Sequence, residues 1–332
     1  MSSMALRRLP LQDLALASSS LRAYNKQLAA FLSHTRLTPQ QFYSLPAYKL
    51  DRLLAVYIQH CYDAGLPFTY ASHALHAASF HRLDLKLRLF TARQCLKGWA
   101  SIKVTRSHPP LTWELTVLLA CTIARSGHHA AAVAMLVGFD CYLRVGELLR
   151  LRRSDIVRFD DPRMGSADRS MAVCLGRTKT GRNQDVPLQN PAVMAVLTLW
   201  LSRLPRHTGN QRVFAPVTDA KLRELLHSAC DTLRLPTQYV PHSLRHGGAT
   251  YDFLRTRDIG FVQFRGRWKS METARTYVQT ARAMLAAQRV PKRLHELGQL
   301  LSDSLLAVMT DALRSPPAAP LQLLQRRVRF QL

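Results

Sequence analysis

Acidic side chains are scarce in this chain. Against 46 Lys and Arg stand only 21 Asp and Glu, a formal net charge of +25 over 332 residues. Arg outnumbers Lys 37 to 9, a bias that codon usage explains, but codon usage does not explain a twofold shortage of acids. Long apolar runs are also missing. The stretches 130–139 and 192–201 fall short of the roughly 20 residues that a membrane-spanning helix needs, which excludes a membrane span. Residues 1–16 carry Arg7, Arg8 and Asp13 and no clean apolar centre, which speaks against a secretory signal and leaves an organelle leader open. The six cysteines (Cys61, Cys95, Cys121, Cys141, Cys174, Cys230) show no paired spacing. That excludes a disulfide framework and a zinc site and suits buried thiols in a reduced, intracellular protein. His73, His76 and His81 lack Cys or acidic partners and read as core or surface residues rather than ligands. There is no carboxylate cluster, no glycine-rich phosphate loop, no repeat and no low-complexity tract.

The basic excess is spread out. Residues 1–107 hold 14 bases and 4 acids, 108–280 hold 24 and 14, and 281–332 hold 8 and 3. A basic tail would concentrate its charge, whereas here every part that reads as folded carries it. That pattern implies two domains gripping a nucleic acid rather than a membrane surface or a small molecule.

The length suits two domains. The first hundred residues read as helices only, over 21–33, 46–64, 70–82 and 92–99, with Ser18, Ser19 and Ser20 as N-cap candidates. Tyr24, Tyr57 and Trp99 read as core positions rather than base-stacking platforms. A basic, Pro109-Pro110-containing connector follows at 103–111, in which Lys103 and Arg106 are candidate DNA contacts. Helices are expected at 112–124 and 129–142. Short β-compatible runs at 171–175 and 184–188 flank a turn-rich segment with Lys179 near its tip. Helices resume at 191–204, 219–233, 242–255, 259–265 and 271–279. A helical stretch at 281–313 precedes a proline-rich break at 315–320. The fold class is therefore mainly α with a small antiparallel β-sheet.

Within this frame Arg144, His242, Arg245 and Tyr277 stand out. Arginine forks match phosphate oxygens, and tyrosine forms covalent intermediates. Together they suggest breakage and rejoining of a phosphodiester. Residues 139–156, with Arg144 three before Glu147 and then Leu-Leu-Arg-Leu and Asp155-Ile156, resemble the first conserved box of the tyrosine recombinase (phage integrase) family. Thr178-Lys179-Thr180-Gly181-Arg182 with Val186-Pro187-Leu188 is similar to that family's β-hairpin lysine. His242-Ser243-Leu244-Arg245-His246 resembles its His-x-x-Arg box, and Trp268 with Tyr277 nine residues later its final box. Each motif alone is commonplace; filled in order over 110–280, they are specific.

The resemblance implies a helical core-binding domain at 1–102, a linker at 103–111, a catalytic α+β domain at 112–285 and a tail at 286–332 that contacts a neighbouring protomer. The two domains would form a clamp on double-stranded DNA, and four protomers would act together. Arg144 and Arg245 would clamp the phosphate and stabilise its extra charge in the transition state. Tyr277 would attack, though a free phenol titrates near about 10 and needs a base; His242 is the candidate. Lys179 would protonate the leaving 5′-oxygen, and Glu147 would orient an arginine or the histidine. Trp268 fills a slot often held by histidine, where its indole N–H donates but cannot accept. His246 reads as structural. Arg182, Arg267 and Lys269 are further candidate DNA contacts. No metal or other cofactor is implied: the arginines and the lysine supply the positive charge, and the phosphotyrosine bond conserves the energy of the broken strand, so rejoining needs no ATP. The Arg267-Trp268 box, the short linker and the lack of an arm-binding module lean towards a mobile element of the crypton or DIRS type. Two competing readings are a non-cutting, domesticated DNA-binding protein, which complete retention of the six catalytic positions opposes, and a type IB topoisomerase, which the box around Arg144 disfavours.

Overall fold

The structure, a computed structural model, describes residues 15–103, 108–158, 171–177, 182–205, 211–236 and 239–314. The chain divides into two compact units, Met1–Arg106 and Ser107–Leu332.

In the first unit every described regular element is helical: α1 (Ser18–Thr35), α2 (Pro39–Ser44), α3 (Ala47–Asp63), α4 (Phe68–His81) and α5 (Phe90–Ile102), with one 3₁₀ turn between α4 and α5. The stripe Leu50, Leu54, Ile58 and Cys61 on α3 packs with Phe31, Phe42, Leu75, Leu85 and Leu89 into one core. Tyr57 is buried there too, and Trp99 packs against it edge-on to Tyr62 and Phe68. The serine triplet does not cap α1: the helix begins at Ser18, with Ala17 in the cap position and no side-chain cap. The short α2 lay hidden from the apolar pattern because it is set by local hydrogen bonds. Thr38 Oγ1 accepts from the Gln41 amide at 3.1 Å, Gln41 Oε1 accepts from the Thr38 amide at 2.9 Å, and Pro39 stands at the first helical position. The start of α5 is held from a distance. Buried Asp51 accepts from the amides of Thr91 (3.0 Å) and Ala92 (2.9 Å), putting a carboxylate where the helix end is positive.

The second unit opens with the antiparallel pair α6 (Trp113–Arg125) and α7 (His129–Asp140). Both are buried nearly all round, as their lack of polar faces requires. Leu111, placed in the connector on sequence grounds, belongs to this core, its amide donating to Ser243 O at 3.2 Å. A one-turn helix, α8 (Val145–Leu148), leads to the sheet β1 (Ile156–Val157), β2 (Ala172–Arg177) and β3 (Arg182–Pro187). The order is β1-β2-β3, all antiparallel, with Val173 opposite Val186 and Leu175 opposite Gln184. Met171, Val173, Leu175, Val186 and Leu188 turn inward. Strand β1 escaped the sequence pattern because two residues carry no alternation.

Helices α9 (Pro191–Arg203), α10 (Asp219–Thr232), α11 (Pro241–Thr256), α12 (Ile259–Gly266) and α13 (Met271–Tyr277) follow. The expected single helix over 281–313 is three: α14 (Thr280–Gln288), α15 (Lys292–Asp303) and α16 (Leu305–Arg314). Pro291 and Ser304 occupy the junctions. As far as Arg314 the tail packs on its own unit. Leu294, Leu301, Leu305, Met309 and Leu313 are buried, and Trp113 Nε1 donates to Ser302 Oγ at 2.6 Å. Gly298 permits the close approach, since a Cβ there would sit 2.7 Å from Glu114 O. The segment 315–332 lies outside the described residues.

Candidate active site

Helix α11 is the scaffold. It presses onto α7 so closely that a Cβ on Gly248 would lie 2.1 Å from Phe139 O, and one on Gly247 2.3 Å from Leu111 O. The backbone contact leaves His242, Arg245 and His246 on the face turned towards α13. Arg245 is completely buried. One of its terminal nitrogens donates to Tyr142 O and the other to Gly266 O at 2.9 Å. Its guanidinium lies 4.7 Å from the Trp268 ring and 5.2 Å from the Tyr277 ring. Burial and the charges of Arg144 and Arg267 bring its pKa down to about 10, so it stays charged at neutral pH.

Tyr277 is the last helical residue of α13, where Val278 turns extended. Its ring stacks on His246 at 4.8 Å, tilts onto Trp268 at 4.6 Å and meets His242 edge-on at 5.7 Å. Its carbonyl accepts from Thr250 Oγ1 at 3.4 Å, fixing the end of the helix on α11. His242 is solvent-exposed at the rim of an open groove of about 600 Å³ lined by His246, Arg275, Tyr277, Gln279 and Arg282. Packing about its ring, then Arg245, His108 and Arg144, hold its pKa below the usual histidine value. His246 is buried, shares Nδ1 with Gln279 Nε2 at 3.1 Å, and is pushed down to about 4 by burial and by His242.

Arg144 caps α8. Its amide donates to Glu147 Oε2 at 3.0 Å and its Nη1 to Glu147 Oε1 at 2.7 Å. Burial raises the Glu147 pKa, but Arg267 and then the hydrogen bonds from Arg144 outweigh it and keep the carboxylate below its ordinary range. Arg267 was expected on DNA; its side chain instead turns inward, Nη2 donating to Glu147 Oε2 at 3.0 Å. Lys269 is exposed beside it, and Lys103 is exposed with its ammonium 4.6 Å from the Phe68 ring. The expected roles of Lys179 and Arg106, and of the Arg182 side chain on β3, lie outside the described residues.

A brace that no motif or apolar stripe marks in the sequence lies beneath the site. Arg265 on α12 donates to Asp252 on α11, to Asp140 O at 2.8 Å and to Pro187 O at 3.0 Å, while Tyr142 OH also donates to Asp252. These five residues tie α7, α11, α12 and the end of the hairpin together, and Asp140 accepts from the Gln189 amide at 3.0 Å. The signal was present as two acids, Asp140 and Asp252, in otherwise apolar or small-residue helix faces. Among the described residues no group of three His, Cys, Asp or Glu is placed to hold a metal ion, and no helix is long and apolar enough to cross a membrane.

Comparison with known proteins places the chain in a family. The model of the phage integrase family matches residues 114–284, just over half of the chain. Tyrosine recombinase XerC of Methylobacterium sp. (strain 4-46) is 27% identical over 295 residues, covering 83% of this chain and 88% of that protein. In fold, the chain is similar to a lambda integrase fragment solved as a dimer on a COC′ core site (TM-score 0.55, 16% identity, 80% of this chain and 90% of that one). It is similar also to a longer lambda integrase chain on the same site (TM-score 0.54, 17% identity, 80% and 73%). With the family's model spanning the residues that build the site, the chain belongs to the phage integrase family and is a site-specific DNA recombinase of the tyrosine class.

Proposed function

We propose that Tyr277 is the nucleophile that cuts DNA, and that Arg144, Glu147, Lys179, His242, Arg245 and Trp268 serve it. The observation that carries this reading is the packing of the Tyr277 ring between Arg245, Trp268 and the two histidines of α11. In the reaction the Tyr277 oxygen attacks the scissile phosphorus, a phosphotyrosyl ester forms, and the 5′-oxygen leaves. His242, at the groove's rim and mainly neutral at pH 7 given its lowered pKa, accepts the phenol proton. Lys179 supplies the proton that the 5′-oxygen takes. Rejoining reverses these steps.

Arg144 and Arg245 stabilise the charge that grows on the non-bridging oxygens, each worth about 2.7–4 kcal/mol by analogy with oxyanion sites. Arg245 is covered in the free protein, so it meets phosphate only when the Tyr277 ring swings off its face towards the DNA. Trp268 packs against both and has no acceptor for its N–H among the described residues, which suits a donor to phosphate.

The partner is duplex DNA. Residues 1–102 act as the core-binding domain, 103–111 as the linker and 112–285 as the catalytic domain, and the working assembly is a tetramer on paired sites inside the cell. The test is direct. Full-length protein is incubated with nicked duplexes taken from the DNA flanking its gene, and protein–DNA adducts are resolved under denaturing conditions. Wild type gives an adduct; Tyr277→Phe binds the same duplexes and gives none. An adduct that survives Tyr277→Phe overturns the assignment.

A further inference from the structure

Four arginines of the described chain sit in the left-handed backbone region, at Arg36, Arg234, Arg257 and Arg267. The first three are exposed. Arg267 alone turns inward, with 6% of its side chain accessible. Its only protein acceptor among the described residues is Glu147 Oε2, 3.0 Å from Nη2. The same carboxylate grips Arg144 through both the amide and Nη1. Glu147 therefore has a cation on either side, and among the described residues α8, a single turn, has no other charged tie to α12.

We propose that Arg267 is a positioning residue for strand cleavage: through Glu147 it holds Arg144 in the orientation that receives the scissile phosphate. The inference rests on the reaction proposed above. A carboxylate paired with Arg144 alone is free to follow that arginine's motion, because both belong to the same short turn. Anchored to α12, it becomes a fixed post between two helices. A left-handed residue is a position that glycine fills without strain, so the arginine there is explained by what its side chain reaches. It also adds positive charge beside Arg144 and Arg245, both of which face the incoming phosphate in the proposed reaction.

Arg267→Met and Arg267→Gly are compared with wild type by three measurements on the full chain. Arginine side-chain N–H NMR of the DNA-free protein reads the order of Arg144; in both variants its Nη signals are expected to broaden or shift. Single-turnover adduct formation on the duplex that wild type cuts is expected to slow about 10–100-fold, as when a partner that orients an active-site group is lost. Affinity for that duplex is expected to stay within about twofold, which marks an effect on the chemical step. In a Glu147→Ala background, adding Arg267→Met is expected to cost little more, because the acceptor is already gone. Arg267→Gly keeps the turn without strain, so it remains folded and informative if the methionine variant does not.

Unchanged Arg144 signals overturn the proposal whether or not any DNA is cut. So does a loss of DNA affinity that accounts for the whole rate effect, or a full multiplicative cost in the Glu147→Ala background. A wild type that gives no Tyr277-linked adduct sinks the proposed reaction instead, and the NMR arm still decides the Arg267–Glu147–Arg144 link.

Discussion

A single missing methyl group sets the height of the Trp268 indole over Arg245. A Cβ on Gly266 would fall 1.7 Å from Trp268 Cζ3, and the Gly266 carbonyl is itself an acceptor for Arg245. Gly266→Ala is therefore expected to displace the indole, costing about 1–3 kcal/mol of stability through overpacking. Near-ultraviolet dichroism should change with it, and cleavage should fall; an unaltered spectrum with full activity sinks this account.

His246 makes a second prediction at the same scale. Its folded pKa of about 4 lies below the free value of about 6.5, so the unfolded chain binds more protons between those values. Its contribution to stability is complete above about pH 6.5 and is lost as the pH falls towards 4. Urea midpoints at pH 7 and pH 5 should therefore differ more for wild type than for His246→Gln. The motif residues Arg144, Glu147, His242, Arg245 and Tyr277 were legible in the sequence because fixed spacings carried them. The inward turn of Arg267 was not, because a left-handed φ and a partner 120 positions away leave no local pattern.

Among the elements, the brace beneath the site matters most. Arg265 gathers Asp252, Asp140 and the Pro187 carbonyl in an almost fully buried setting. Burial disfavours its charge, but Tyr142, Asp140 and Asp252 more than compensate and hold it protonated. Removing one partner leaves a buried charge uncompensated, which typically costs about 3–5 kcal/mol. Asp252→Asn should lower the urea stability of the second unit by that order, and Arg265→Met by a similar amount; a loss below about 1 kcal/mol in either variant argues that the brace is dispensable. Helix positions in both units followed from apolar periodicity and proline punctuation. The one-turn α8, the six-residue α2 and strand β1 did not, because hydrogen bonds and cross-strand partners set them rather than a stripe. The continuous helix expected at 281–313 broke at Pro291, whose missing amide was visible but whose position as a helix start depends on packing against α6.

At the scale of the molecule, charge is the dominant quantity. With both units strongly basic, DNA affinity should fall steeply with salt, log K against log salt giving a slope of roughly −0.9 per phosphate neutralised. A slope near zero in a titration from low to physiological salt contradicts electrostatic binding by both units. Composition revealed this property without any structure. The assignment of the second unit's last helices to its own core was invisible, since an amphipathic helix fits a neighbour's surface as well as its own.

That last packing has a consequence for how the protein is made. Helix α6 is the first to leave the ribosome in the second unit, yet α15 supplies part of its cover, through Ser302 on Trp113 and Gly298 on Glu114, and α16 packs against it as well. The shell around α6 therefore closes only after residue 314 has been synthesised, a late and long-range step of the kind that slows folding. A nascent recombinase is in this way kept without a finished core until well after Tyr277 has been added. Protease resistance of α6 in ribosome-bound chains should appear when the chain is long enough to expose α16, and not when it ends at α14.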